Sequence, residues 1–341
     1  MQNKYNNIKK KWQKMFTKIG KEELIPECAE LIKKGEIVAF PTETVYGLGG
    51  DALNESAVKK IYEAKNRPSD NPFIVHVHDV SEVEKAAFLT PEAERIFNAF
   101  APGPITVVLK KKKAIPDCVT AGLDTVGIRI PEHELARKFL KACETPIAAP
   151  SANLSKRVSP TTAERVYEDM NGRIPAILDG GACRVGIEST VLSLVGEPTI
   201  LRPGAVTAEQ LAPYLGTVKT FTGKVVVAPA PGMKYAHYCP TVPCVLFSSV
   251  PNAETEFRKR QAEGKNPIVL AMADTCEKLI ANGVKCVSLG KTVEEFTHNA
   301  FEALRTYEKI NGYIITEALR GDGLEASVMN RLLKSSHGEI V

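Results

Sequence analysis

Two cations and two small polar side chains suggest the chemistry of this chain. Lys65-Asn66-Arg67-Pro68 sets a point charge and a planar guanidinium two residues apart, and Ser151-Ala152-Asn153 farther along adds a hydroxyl and a carboxamide. Together these groups suit a polyphosphate or another anion. Pro68 keeps Arg67 out of the helical region, so the first segment should leave a helix as a loop. The same cations would also suit a solvated helix end, and Ser and Asn a turn or an N-cap. Position allows a common target. The first segment comes after an apolar run, Glu36 to Phe40, and the polar turn Pro41-Thr42-Glu43-Thr44-Val45-Tyr46-Gly47; the second directly follows Pro146 to Pro150. Strand ends carrying such groups can converge at one edge of an α/β sheet, where ligands usually bind. Ala148, Ala149 and Pro150 would let a backbone approach that ligand closely.

Other residues invite narrower readings. Arg129 in GIRIP has the fork that suits a carboxylate. His76 and His78 are two apart in an expected strand and should share a face; a metal would need a third ligand that the neighbouring sequence lacks. Lys110 to Lys113 reads as a solvated strand end that could guide anions over distance. Gly47-Leu48-Gly49-Gly50-Asp51-Ala52 formally fits a dinucleotide fingerprint, but a polar turn separates it from the preceding strand. Gly181 to Gly186 has phosphate-loop spacing, yet Ile187-Glu188 stands where Lys-Ser/Thr would be needed.

These groups must be positioned by alternating helices and strands. Residues 22–34 carry apolar positions at helical spacing and lead into a strand at Ile37 to Phe40. Helices are expected at Asn54 to Lys65, Pro91 to Phe100 and Glu132 to Cys143, with strands at Phe73 to Val77, Ile105 to Leu109 and Thr125 to Ile130. This predicts a twisted open α/β sheet and leaves open whether it is mixed or parallel. Near residue 217 the texture changes, and Lys224 to Pro231 reads as a proline-punctuated linker. From Pro243 the alternation resumes, with strands at Cys244 to Phe247, Pro267 to Ala271, Lys285 to Ser288 and Gly312 to Thr316, a smaller doubly wound α/β domain. The expected division is a basic extension at 1–21, a first domain at 22–217, a linker at 218–242 and a second domain at 243–341.

At 341 residues, two domains are the default. A formal net charge of +4 suits an anionic ligand but is small for a dedicated nucleic-acid binder, so no stable DNA binding is expected. No apolar run is long enough to span a membrane. The eight cysteines include no CxxC pair, which reads as reduced thiols in a cytoplasmic protein. The Lys-rich stretch from Lys4 to Lys18 lacks the apolar core of a secretory signal.

The segments EIVAFPTETVYGLGGDA, KNRP, NPFIVHV, PGPITVVL, TVGIRIP, PIAAPSAN, ESTV and LRPGAV, in this order, resemble the YrdC family in its long, two-domain form, the threonylcarbamoyl-AMP synthases. The resemblance runs from about residue 24 to the C-terminus. It implies a YrdC-like first domain, a Rossmann-like second one, and the joining of L-threonine, bicarbonate or carbon dioxide, and ATP into L-threonylcarbamoyl-AMP and pyrophosphate. It makes Lys65, Arg67, Ser151 and Asn153 the catalytic group. It assigns ATP to these residues together with Asn71, Thr125, Ser159 and Arg202. Threonine falls to Thr44, His76, Arg129, Ala149 and Ser189. Mg²⁺ would arrive on the ATP phosphates, with no dedicated protein ligand. APGMKYAHYCP resembles the family segment that folds over the cleft, so Lys234, Tyr235 and His237 would contact nucleotide or intermediate from a lid. Ala236 replaces a common family Arg there, which removes any contact that Arg would make. A separate enzyme would pass the threonylcarbamoyl group to adenosine 37 of tRNAs reading codons that begin with A. Two other classes compete: an RNA-binding module, disfavoured by an aromatic content of 6% and no basic-aromatic string, and a carbamoyltransferase-related protein, which would bring CxxC zinc segments.

Overall fold

The computed structural model describes residues 16–222 and 238–341. In chain order the strands are β1 (Lys18–Gly20), β2 (Val38–Phe40), β3 (Gly47–Asp51), β4 (Ile74–His76), β5 (Ile105–Lys110), β6 (Thr125–Arg129), β7 (Ile147–Ala149) and β8 (Ala176–Leu178). They continue with β9 (Thr190–Ser193), β10 (Thr199–Arg202), β11 (Lys219–Thr220), β12 (Cys244–Phe247), β13 (Pro267–Ala271), β14 (Cys286–Ser288) and β15 (Tyr313–Glu317). Among the described residues, the first eleven form one sheet in the order β1-β8-β2-β3-β7-β4-β6-β5-β9-β10-β11. It is mixed: β4 runs parallel to β6 but antiparallel to β7, and β5 antiparallel to β6 but parallel to β9. Glycines in β3 allow tight packing there. A Cβ on Gly49 would come within 2.7 Å of Ile147 and 2.9 Å of Phe40, so the segment that formally fits a dinucleotide fingerprint is a buried strand antiparallel to β2.

Helix Glu55–Lys65 shows how sequence fixes an element. The Asn54 side chain accepts hydrogen bonds from the backbone N–H groups of Ser56 and Ala57, and Asn66 closes the helix in the left-handed conformation at φ 51°. Pro68 then prevents continuation, and the chain turns back toward β4.

The ends of the first domain differ from expectation. Residues 18–20, expected in a basic extension, form the edge strand β1 beside β8. Parallel pairing at a sheet edge draws on backbone groups, so apolar alternation need not announce it. Residues 219–220, expected in the linker, pair with β10.

The second domain is a parallel sheet in the order β12-β15-β13-β14. Helices Val250–Ala262, Ala273–Ala281, Val293–Tyr307 and Leu324–Ser335 connect and flank its strands. The two domains share an apolar cluster in which Val45, Val158 and Ile187 pack with Tyr238, Phe296, Leu304 and Val328. Charges seal the same boundary. Arg305, 1% exposed, donates to the Val158 carbonyl at 2.6 Å and to Asp169 at 2.7 Å, while Arg157 bridges Asp169 and Glu308. Among the described residues no helix is long and apolar enough to cross a membrane. All eight cysteines are free.

Candidate active site

Strands β3, β7, β4, β6 and β10 of the large sheet, with the segment that leads into β9, deliver residues to one recess. Register aligns His76 on β4 with Arg129 on β6, and Ser151, just past β7, bridges to Gly47 at the start of β3. Ser189 precedes β9 and Arg202 ends β10. The recess and its solvent-open mouth together enclose about 570 Å³. Arg67, His76, Arg129, Ala149, Ser151, Glu188, Arg202 and Tyr238 are among the residues lining it.

Its electrostatics follow from burial and pairing. Arg129, 4% exposed, donates through Nη2 to Glu43 and to the Thr44 hydroxyl, each at 2.8 Å, while its Nε has no partner among the described residues. The other carboxylate oxygen of Glu43 accepts the Glu132 N–H at 3.0 Å. Glu43 thus fixes the fork and leaves an edge of it available to an anion. His76 packs edge-on to Phe40. Burial, assisted by the Arg129 cation, pushes its pKa down to about 3, so the ring is neutral at pH 7. Its Nδ1 also lacks a partner among the described residues. Arg202 donates to the Ser189 carbonyl at 2.9 Å and to its hydroxyl at 3.2 Å. Burial lowers Arg202 to about 10, which leaves it charged.

Lys65 stands beneath the Ser151–Asn153 loop. Its ammonium, 1% exposed, donates to the carbonyls of Ser151 and Asn153 at 2.5 Å each, and it does not line the recess. It organises the loop from beneath. The Ser151 hydroxyl donates to the Asn153 side chain at 2.5 Å, and the Asn153 carboxamide in turn donates to the carbonyls of Leu154 and Arg157. Arg67 does line the recess, with its guanidinium over Phe73 at 5.3 Å and Nη2 near the Asn71 carbonyl at 3.3 Å.

The remaining expected residues divide. Thr44 touches Arg129 from below, and the Ser159 hydroxyl donates to Glu188 at 2.6 Å, behind the wall. Asn71 is buried, with Oδ1 unpartnered among the described residues, but lies outside the lining. Thr125 shares the Arg129 face of β6 but sits about 13 Å along the strand. His76 and His78 do not share a site: β4 ends at His76, and His78 lines a separate surface groove with His133, Arg137 and Lys141. Tyr235 and His237 lie outside the described residues. Their neighbour Tyr238 is described, stacks on Phe301 at 5.3 Å and lines the recess.

Acidic and aromatic contributors that went unassigned in the sequence include Glu43, Tyr46, Glu188 and Tyr238. A signal for the acids was present. A buried Arg129 or Arg202 requires compensating charge, and Glu43 and Glu188 lie within the PTETVY and ESTV segments.

Comparison with known proteins bears on this arrangement. A family model described as "Telomere recombination", covering the Sua5, YciO and YrdC proteins, matches residues 30–204, and the threonylcarbamoyl-AMP synthase C-terminal domain matches 206–337. The threonylcarbamoyl-AMP synthase of Pyrococcus abyssi is 42% identical over 326 residues, covering 92% of this chain and 94% of that protein. The chain belongs to the threonylcarbamoyl-AMP synthase family. Its Bacillus subtilis relative is also 42% identical, over 93% of this chain and 94% of that one. The crystal structure of P. abyssi Sua5 complexed with L-threonine superposes with a TM-score of 0.87 at 40% identity, covering 96% and 98% of the two chains. Both α/β domains of this threonylcarbamoyl-AMP synthase family member are therefore common to a solved relative.

Proposed function

We propose that the recess joins ATP and L-threonine through a carbamate to give L-threonylcarbamoyl-AMP and pyrophosphate. The supporting observation is the convergence of Arg67, Arg129, Arg202 and Ser151 on one recess in a chain of this family. Arg129, braced by Glu43 with Nε open, suits the threonine carboxylate; Ala149 and His76 bound the space beside it. Arg67 and the loop held by Lys65 face the phosphates, with Ser159 and Asn71 behind.

The chemistry balances without an enzyme-bound intermediate. The neutral threonine amine attacks carbon dioxide, or bicarbonate with loss of hydroxide, and sheds a proton to give the carbamate. A carbamate oxygen then bonds to the α-phosphorus as the bond to the β-phosphate oxygen breaks, releasing pyrophosphate. Placing two anions together is the main obstacle, and fixed guanidinium groups offset their repulsion.

Mg²⁺ fits this donor set as a companion of ATP. The described residues hold no cluster of three acidic, His or Cys groups. The Ser151 hydroxyl is the oxygen the loop would offer to a cation already held by phosphates, as Mg²⁺ sites of this type retain several waters. Bound there, Mg²⁺ would neutralise charge on the leaving pyrophosphate. The product would then pass to a separate enzyme acting on tRNA. Pyrophosphate release measured with and without threonine tests the reading: release should require threonine, and threonine-independent release would reject it.

A further inference from the structure

The last helix of the second domain, Leu324–Ser335, turns Val328, Arg331, Leu332 and Ser335 inward. Arg331 is fully buried and reaches the first domain. Its Nε donates to Glu188 Oε2 at 3.2 Å and its Nη2 to the Glu188 carbonyl at 3.1 Å, while Nη1 donates to the Pro203 carbonyl. One turn away, the Ser327 hydroxyl donates to the Gly204 carbonyl at 2.8 Å. The neighbours of these anchored positions, Ser189 and Arg202, are bonded to each other, and Glu188 is the one carboxylate among the described residues lining the recess. A guanidinium spent on the wall of a site does more than join two surfaces.

We propose that Arg331 is a positioning residue of the active site, reaching across the domain boundary to hold the Glu188 carboxylate and the Ser189–Arg202 contact in the wall that faces the substrates. This rests on the functional reading above. The threonine reactant brings an ammonium group and three arginines crowd the recess, so a fixed anion there balances the field. Arg331 and Lys334 face Glu188 from the last helix, Arg202 from β10, and Ser159 and Tyr238 from adjoining segments. Burial pushes the Glu188 carboxyl up, but Arg331, Arg202 and the Ser159 hydroxyl outweigh it and hold it below the ordinary range. Without Arg331, burial should prevail and Glu188 should take a proton at higher pH.

Full-length Arg331→Met, Arg331→Lys, Glu188→Gln and Arg331→Met/Glu188→Gln chains test this. Near neutral pH Arg331→Met should slow pyrophosphate release roughly tenfold or more, and its acid limb should move upward in pH. The moved limb should vanish in the double variant. Arg331→Lys should shift the limb less, because an ammonium cannot meet Glu188 and Pro203 together. A folded Arg331→Met with the wild-type profile overturns the proposal, as does an unshifted Arg331→Lys should the Met variant not fold. A second readout needs no turnover. The Tm of Arg331→Met should fall with rising pH relative to the double variant, because Glu188 must then ionise without its partner. Parallel Tm curves overturn the proposal, whereas wild-type protein without threonine-dependent release would sink only the functional reading.

Discussion

Single side chains here are defined by what holds them. Arg129 gives one nitrogen to Glu43 and Thr44 and keeps Nε open. Arg129→Lys should therefore raise the KM for threonine roughly tenfold or more while changing the KM for ATP little, since an ammonium lacks the planar fork. Steady-state kinetics with each substrate varied decides this, and equal changes in both would mean that Arg129 organises the whole recess. His76 makes a separate prediction. Its folded pKa of about 3 lies below the ordinary 6.5, so its contribution to stability is complete above pH 6.5 and is lost as pH falls toward 3. Urea unfolding at several pH values should show a shallower acid loss for His76→Gln than for wild type. An unchanged slope would mean that the folded protein accepts the proton.

At the scale of elements, much was legible. Asn54 and Pro68 bracket helix Glu55–Lys65, and the Val, Ile and Phe runs mark the strands that carry His76 and Arg129. Polar groups were harder to place because spacing does not reveal what lies across the sheet. Lys65 and Arg67 look equivalent in sequence, yet the helix end buries the lysine under the Ser151–Asn153 loop and leaves Arg67 at the recess. Thr125 likewise shares a face with Arg129 without sharing its pocket. Lys65→Met should consequently cost about 2 kcal/mol of stability through its lost carbonyl contacts. It should also slow pyrophosphate release roughly a hundredfold, because the phosphate-facing loop is released. Paired urea-unfolding and turnover measurements check both parts, and normal turnover in a destabilised protein would remove the loop from the mechanism.

At the scale of the whole molecule, the second domain is bound to the first by a shared apolar cluster and by arginines that cross the boundary. Arg305 reaches Val158 and Asp169, and Arg331 reaches Glu188. Sequence periodicity outlined this domain but could not show its attachment. Val328, Arg331 and Leu332 share one helical face, a pattern that buries an arginine without naming its partner. What the whole chain does is tested most directly by incubating it with ATP, Mg²⁺, L-threonine and ¹³C-bicarbonate and analysing the nucleotides by mass spectrometry. The predicted result is threonylcarbamoyl-AMP carrying one ¹³C, formed in equal amount with pyrophosphate and absent when threonine is omitted. AMP and pyrophosphate formed without threonine, with no labelled adenylate at any time, would contradict the account.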